Sequence, residues 1–127
     1  MDAQELTKLG RRVIGSGQLE ALRGRLLLSR SAVAELIGVS PESLARWESG
    51  EQNMRDSSAL LVGGWWYEAQ KELEKNPDIS RLYPVSYVIS WWGVSYQTVM
   101  NWCRDGHLRH EHLGVLGYFV YDTEVRS

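Results

Sequence analysis

Residues 38–47 read GVSPESLARW and residues 93–102 read GVSYQTVMNW. Each stretch has Gly-Val-Ser, a hydroxyl residue three positions after the Ser, then an aliphatic residue, and a Trp three positions further on. Gly can take the left-handed conformation that ends a helix, and Ser can cap the next helix through its hydroxyl. The aliphatic residue and the Trp, three apart, share one face of that helix. The repeat therefore predicts a helix, a tight turn and a short second helix at two places in the chain.

Apolar residues spaced by three and four predict the helices of the chain. They are expected over residues 1–14, 18–28, 30–37, 41–49, 57–75, 86–92 and 96–104. Ser57 or Ser58 can cap the 57–75 helix, and Asn76-Pro77 ends it. The pair Gly63-Gly64 inside this helix indicates either a kink or a close approach to another element.

After the second repeat, residues 107–121 read HLRHEHLGVLGYFVY, two apolar-rich runs separated by glycines. This pattern predicts a β-hairpin. We therefore expect a mainly α-helical chain with two small helix-turn-helix units joined by a helix, the second with a short β-hairpin wing. The expected boundaries are residues 1–56 for the N-terminal unit, 57–78 for the linker helix and 79–127 for the C-terminal unit.

A helix-turn-helix presents the outer face of its second helix to the DNA major groove. With Leu44 and Trp47 facing inward, the expected base contacts of the first unit are Pro41, Glu42, Ser43 and Arg46. Of these, Arg46 can bind guanine O6 and N7 together, and Glu42 can accept from cytosine N4. The expected contacts to the DNA backbone are Arg23, Arg25, Arg30 and Ser40.

In the second unit, Val99 and Trp102 are expected to face inward. The base contacts are then Tyr96, Gln97 and Asn101, of which the two amides can each pair with adenine. The expected backbone contacts are Ser95, Thr98, Arg104 and Arg109. The outward residues differ between the two copies while the inward residues match, as expected for one scaffold that recognises two different base sequences.

The 127 residues carry fourteen Lys and Arg against sixteen Asp and Glu, a formal net charge of −2. This excludes a generally polycationic protein but not a local basic face. The single cysteine, Cys103, excludes a disulfide framework and a cysteine-based zinc site. With no apolar run of signal-peptide type or of membrane-spanning length, a cytoplasmic protein is expected.

Several residue groups are better explained by structure than by chemistry. We expect His107, His110 and His112 to face solvent or phosphate rather than a metal, since the hairpin offers no second ligand group. The pairs Trp65-Trp66 and Trp91-Trp92 are expected in the core and between the units, and Cys103 as a small, partly buried hydrophobe. No nucleophile–base pair, phosphate loop or paired carboxylate stands out, so neither an enzyme nor a cofactor is expected.

Residues 28–50, LSRSAVAELIGVSPESLARWESG, resemble the lambda-repressor-like (Xre-type) helix-turn-helix. The similarity lies in the Leu-Ser before the 30–37 helix, the small Ala34, the Gly-Val-Ser turn and the closing Arg-Trp-Glu-x-Gly. Many members of that family carry Gln where this chain has Arg30. The resemblance implies sequence-specific binding of double-stranded DNA.

Residues 82–125 resemble the winged helix-turn-helix of the MerR and excisionase proteins. The similarity lies in the Gly-Val-Ser-x-x-Thr-Val turn and helix, in Trp102, in Asp-Gly-x-Leu and in the late Tyr-x-Val. That wing usually has several Arg, whereas this one has Leu-Gly-Val-Leu-Gly. The composition indicates a wing that packs on protein rather than one that clamps DNA.

Together the two motifs resemble the compact immunity repressors of actinobacterial temperate phages. The resemblance implies a repressor of the bacterial host cell, associated with the nucleoid, that binds asymmetric operator and stoperator sites. Two different recognition helices in one chain predict that it binds as a monomer, although a dimer stays open. Three alternatives remain: an excisionase-like architectural protein, an antitoxin-type autoregulator, and a protein-interaction adaptor built on the same fold.

Overall fold

The computed structural model describes residues 1–125 and is mainly helical, as the sequence predicts. Within those residues lie eight α-helices, three short strands and two 3-10 turns. The helices are α1 (Ala3–Gly15), α2 (Gln18–Arg25), α3 (Arg30–Ile37), α4 (Pro41–Glu48), α5 (Asp56–Lys75), α6 (Val85–Trp92), α7 (Tyr96–Arg104) and α8 (Asp122–Val125). The strands are β1 (Leu82–Pro84), β2 (His110–His112) and β3 (Tyr118–Tyr121), and the 3-10 turns are Ile79–Arg81 and Gly114–Leu116.

The helix bounds lie within two residues of those predicted, except at the end of α2. Two of the differences have a clear physical reason. Helix α5 begins at Asp56, and neither Ser57 nor Ser58 caps it, because Arg55 holds the cap position without a side-chain bond. Asp56 lies in the first turn, where a carboxylate complements the helix dipole, and its Oδ1 accepts from Arg11 Nη2 at 2.8 Å. Helix α2 ends at Arg25 rather than near residue 28, since Leu27 has a φ of 60°.

Helices α1 and α5 cross in direct backbone contact at two glycines. A Cβ on Gly10 would collide with the carbonyl oxygen of Ala59, and a Cβ on Gly63 with that of Leu6. Only glycine permits this approach, so the close contact predicted for the Gly63-Gly64 pair is confirmed at Gly63. A Cβ on Gly64 would meet no atom within 4 Å.

The C-terminal strands form one antiparallel sheet in the order β1-β3-β2, called the central sheet below. The predicted hairpin of β2 and β3 is confirmed, with His110 opposite Val120 and His112 opposite Tyr118. Strand β1, which the sequence did not predict, adds to the other edge of β3, with Leu82 opposite Tyr121. A strand of three residues ending in Pro is too short to show an alternating pattern.

The central sheet lies between two buried clusters. The large cluster is formed by residues from all five helices from α1 through α5, together with Leu82, Leu113, Leu116 and Phe119. The small cluster consists of Val85, Val88, Val99, Cys103 and Val120. Helix α5, the predicted linker, therefore packs along α1 and contributes Ala59, Val62, Trp65 and Ala69 to the large cluster. The boundaries between the units stay a prediction.

Candidate nucleic-acid interface

The first repeat folds into α3, a tight turn and α4. Gly38 has a φ of 94°, and its N–H donates to Ala34 O at 2.8 Å, which closes α3. Ser40 Oγ accepts from Ser43 N at 3.1 Å and donates to Ser43 Oγ at 2.8 Å. Pro41 occupies the first turn, where its missing N–H costs no hydrogen bond.

The second repeat builds the same turn between α6 and α7. Gly93 has a φ of 67°, and its N–H donates to Ile89 O at 2.9 Å. Ser95 Oγ accepts from Thr98 N at 3.1 Å, and the two hydroxyls lie 2.8 Å apart. The hydroxyl residue three positions after each Ser thus completes the cap in both copies, and the predicted local structure is confirmed twice.

The outer face of α4 is open. Leu44 and Trp47 are buried, as predicted, while Pro41, Glu42 and Arg46 are exposed. Ser43 is half-buried and its hydroxyl is already bonded to Ser40. This face therefore presents one guanidinium and one carboxylate, which are the groups that can bind guanine and cytosine edges.

The outer face of α7 carries two amides bonded to each other. Gln97 Nε2 donates to Asn101 Oδ1 at 2.9 Å, as their spacing of four residues allows. Gln97 is exposed, Asn101 half-buried, and Tyr96 is 54% exposed at the start of the helix. Gln97 and Asn101 therefore share one face of α7, whereas Tyr96 lines a cleft with Ala32 and Glu35 of α3. Asn101 is the least accessible of the three.

The prediction that Trp102 faces inward with Val99 is wrong. Val99 is fully buried, but the second buried residue of α7 is Cys103, four positions later. In α4, by contrast, the second buried residue is Trp47, three positions after Leu44. Trp102 is half-buried outside the small cluster, with its ring centroid 6.1 Å from that of Trp92. Cys103 is 4% exposed and lies in the small cluster, so it is the small hydrophobe that was expected, and its burial raises the pKa of the thiol.

The ends of the two helices explain this shift. After α4, the carbonyl of Arg46 accepts from the N–H groups of Glu51 and Gln52. After α7, the carbonyl of Trp102 accepts from those of His107 and Leu108. When the two helices are aligned at their C-terminal ends by these hydrogen bonds, Trp102 takes the position of Arg46, which is exposed on α4. Helix α7 is nine residues long and α4 eight, so the extra residue puts the buried stripe on positions four apart.

Glu48 holds two arginines that the sequence assigned to the DNA backbone. Its Oε1 accepts from Arg23 Nη2 at 3.1 Å and from Arg30 Nε at 2.8 Å. The Glu48 side chain is 5% exposed, that of Arg23 14% and that of Arg30 43%. Sequence reasoning gave Glu48 no role, although it belongs to the Arg-Trp-Glu-x-Gly motif that closes the first unit. The guanidinium of Arg30 is therefore held through its Nε, while much of the side chain stays exposed.

The remaining predicted backbone contacts differ in accessibility. Arg25 and Arg104 are exposed, and Thr98 is half-buried. Ser40 and Ser95 are exposed, with their hydroxyls engaged in the caps. Arg109 is exposed and stacks its guanidinium over the ring of Tyr121 at 4.1 Å. Whether any of these residues contacts DNA stays a prediction.

The tip of the hairpin packs on protein, as its composition indicated. Leu113 and Leu116 are each 2% exposed and belong to the large cluster. Val115 O accepts from the indole Nε1 of Trp65 in α5 at 2.9 Å. Trp65 thus lies in the core as predicted, whereas the same prediction is wrong for Trp91, which is 56% exposed.

The rings of His110 and His112 both lie near that of Tyr118, and each of the three histidines has different surroundings. His110 Nδ1 is 3.2 Å from Leu108 O, and the His112 ring stacks on that of Tyr118 with centroids 4.4 Å apart. His107 is exposed in the turn after α7. Within residues 1–125, no three His, Cys, Asp or Glu side chains are grouped so that they could hold a metal ion.

Comparison with known proteins bears on the first unit. Residues 19–59 match the helix-turn-helix family, which is a family of DNA-binding regulators and not of enzymes. The match confirms the Xre-type resemblance of the N-terminal unit and supports a transcription regulator that binds double-stranded DNA. It does not extend to the C-terminal unit, whose MerR and excisionase resemblance stays a prediction.

No curated protein and no solved structure matches the chain. In the part of the chain that the structure describes, no helix combines the length and the apolar composition needed to cross a membrane.

Proposed function

We propose that this chain is a sequence-specific repressor that binds an asymmetric double-stranded DNA site as a monomer, through two unlike helix-turn-helix units. One observation carries the proposal. The turns and caps at Gly38–Ser43 and at Gly93–Thr98 match, whereas the outward side chains of the two helices that follow them differ. One scaffold that carries two sets of base-contacting groups suits a site with two different halves.

The chemistry of the two outer faces supports an asymmetric site. Arg46 and Glu42 on α4 suit guanine and cytosine, whereas Gln97 and Asn101 on α7 suit adenine. To bind adenine, the two amides exchange their mutual hydrogen bond for bonds to the base. A single-unit protein commonly dimerises on a palindrome, while a chain with two different faces needs no second copy.

In this proposal the outer faces of α4 and α7 enter successive major-groove positions, which one turn of B-DNA separates by about 34 Å. The arginines that supply phosphate contacts in this proposal are Arg23, Arg25, Arg30, Arg104 and Arg109.

In this proposal the protein acts in the cytoplasm of a bacterial host, on the nucleoid, as a phage immunity repressor that maintains lysogeny. Bound at its operator or stoperator sites, it blocks RNA polymerase at a promoter or during elongation. The mechanism needs no cofactor, because occupancy of the DNA is itself the effect.

The test combines selection from a random DNA pool with footprinting and a measurement of stoichiometry in solution. We expect one chain per site, a non-palindromic consensus and a footprint that covers two successive major grooves. A protected palindrome with two chains bound would contradict the monomer, and an absence of salt-sensitive binding would contradict DNA recognition altogether.

A second candidate, the protein-interaction adaptor, is favoured by one observation. Along α6, the ring of Tyr87 stacks on Tyr83 with centroids 5.4 Å apart and meets Trp91 edge-on at 5.9 Å. With Trp91 more than half exposed, this aromatic row is a surface of the kind that binds proteins. Co-purification of a partner that Trp91→Ala abolishes, without DNA binding by the intact chain, would favour the adaptor.

A further inference from the structure

The hairpin tip, residues 113–117, packs on helices α3 and α5. It contacts α5 through the hydrogen bond from Trp65 Nε1 to Val115 O, 2.9 Å long. Glu72 of α5 lies against Gly114, and a Cβ on Gly117 would reach Leu36 Cδ2 of α3 at 3.5 Å. A wing held in this way is not available to clamp DNA, so its function must be sought in what it connects.

The central sheet connects the two buried clusters face to face. In β3, Phe119 and Tyr121 pack on the large cluster, while Tyr118 and Val120 pack on the small one. In β1, Leu82 belongs to the large cluster and Tyr83 packs on the small one. Because successive strand residues point to opposite faces, the sheet is a wall with the N-terminal core on one side and the C-terminal core on the other.

This wall is directly continuous with the C-terminal helix-turn-helix. Strand β1 ends at Pro84 and α6 begins at Val85, with no residue between them. Val120 of β3 is buried with Val99, the inward residue of α7. The position of α7 is thus set through β3, the hairpin tip and Trp65, by the same helix α5 that packs beneath the N-terminal unit.

We propose that the hairpin tip and the central sheet are a brace that fixes the distance and angle between α4 and α7, with Trp65 as its positioning residue. The inference rests on the proposed function and adds to it that the DNA site must have a fixed spacing between its two halves. A flexible tether would tolerate different spacings, since it only raises the effective concentration of the second unit.

The test measures affinity for the selected site, for each half-site and for sites with one to three base pairs inserted between the halves. One inserted base pair turns the far half by roughly 35° and moves it about 3.4 Å. For the unaltered chain, we expect a single insertion to lower affinity at least about tenfold, close to the affinity for the better half-site alone.

The variant Trp65→Phe removes the indole N–H and keeps an aromatic ring in the core. We expect a loss of about threefold to tenfold on the intact site, as for one lost hydrogen bond, unchanged affinity for the half-sites and a weaker penalty for insertion. The matched control is Trp66→Phe, which removes the neighbouring indole N–H of α5 and leaves the bond to Val115 in place. It is expected to retain the spacing dependence of the unaltered chain.

A second variant, Leu116→Ala, loosens the hairpin tip without altering Trp65. Binding of the half-site recognised by α4 reports whether this variant is folded. Folded Leu116→Ala with a weaker insertion penalty supports the brace. If both variants keep the full penalty, or the unaltered chain tolerates insertions while needing both half-sites, the brace is wrong and the two-unit function stands. If removing the second half-site changes nothing, the two-unit function and the brace both fall.

Discussion

The two helix-turn-helix units share a turn but differ in how their second helix is held. Helix α4 is fixed by Leu44 and Trp47 on its inner side and by the Glu48 carboxylate, which binds two arginines. Helix α7 packs into a cluster of five small buried residues that is closed by β3. The turn and cap are local and repeat faithfully, whereas the anchoring depends on neighbours that each unit has separately. Equal sequence motifs therefore give equal local structure and unequal support.

The largest effect is expected at Gly63, where α5 packs against α1 and supports the first unit. We expect Gly63→Ala to destabilise the fold by about 3 kcal/mol, because the new Cβ collides with the backbone of α1 and forces the helices apart. Gly64→Ala is the matched control, with open space at its Cβ. It is expected to stabilise the helix by ~0.5–1 kcal/mol. Urea unfolding of both variants measures the difference, and equal stabilities would contradict the close crossing.

The anchor at Glu48 can be broken next. We expect Glu48→Gln to cost about 2 kcal/mol, less than for a fully buried ion pair because Arg30 is almost half exposed. The variant should also bind random DNA more tightly, since a carboxylate near two arginines is gone. Glu42→Gln, exposed on the same helix, is the control for charge and should leave the melting temperature nearly unchanged. A melting temperature for Glu48→Gln equal to that of Glu42→Gln would show that the anchor contributes nothing.

The variants Arg46→Ala and Asn101→Ala test the DNA-binding faces of the two units. We expect losses of about 2 kcal/mol for Arg46→Ala and about 1 kcal/mol for Asn101→Ala, each confined to one base position. Asn101 is expected to contribute less because it is half-buried and its Oδ1 is already bonded to Gln97. Titration against single-base variants of the selected site measures both effects. A uniform loss over all sequences would make Arg46 a phosphate contact.

The smallest expected effect tests the similarity of the two turns. Gly38→Ala and Gly93→Ala each place a side chain at a positive φ, and neither new Cβ would meet another atom within 4 Å. Each should therefore cost only the backbone penalty, about 1 kcal/mol. Thermal unfolding of the two variants should give equal shifts. A clearly larger shift for one of them would show that the equality of the turns does not extend to their surroundings.

Sequence patterns predicted most of the helices and both turns, because these depend on residues close together in the chain. The caps at Ser40 and Ser95 accept from the amide three positions on, and the ends at Gly38 and Gly93 donate to the carbonyl four positions back. The apolar composition of residues 113–117 was enough to predict a wing that packs on protein. The match of residues 19–59 to the helix-turn-helix family agrees with the same local motif.

Burial and pairing across the chain could not be predicted in the same way. The exposure of Trp91 and the outward shift of Trp102 depend on which elements surround α6 and α7. The two ion pairs of Glu48, with Arg23 and with Arg30, join three helices. The hydrogen bond from Trp65 to Val115 spans 50 residues. The amino-acid sequence alone therefore established two copies of one local motif with different outer faces. The packing of α5 and the central sheet established how the copies are supported, because such contacts form only once distant segments meet.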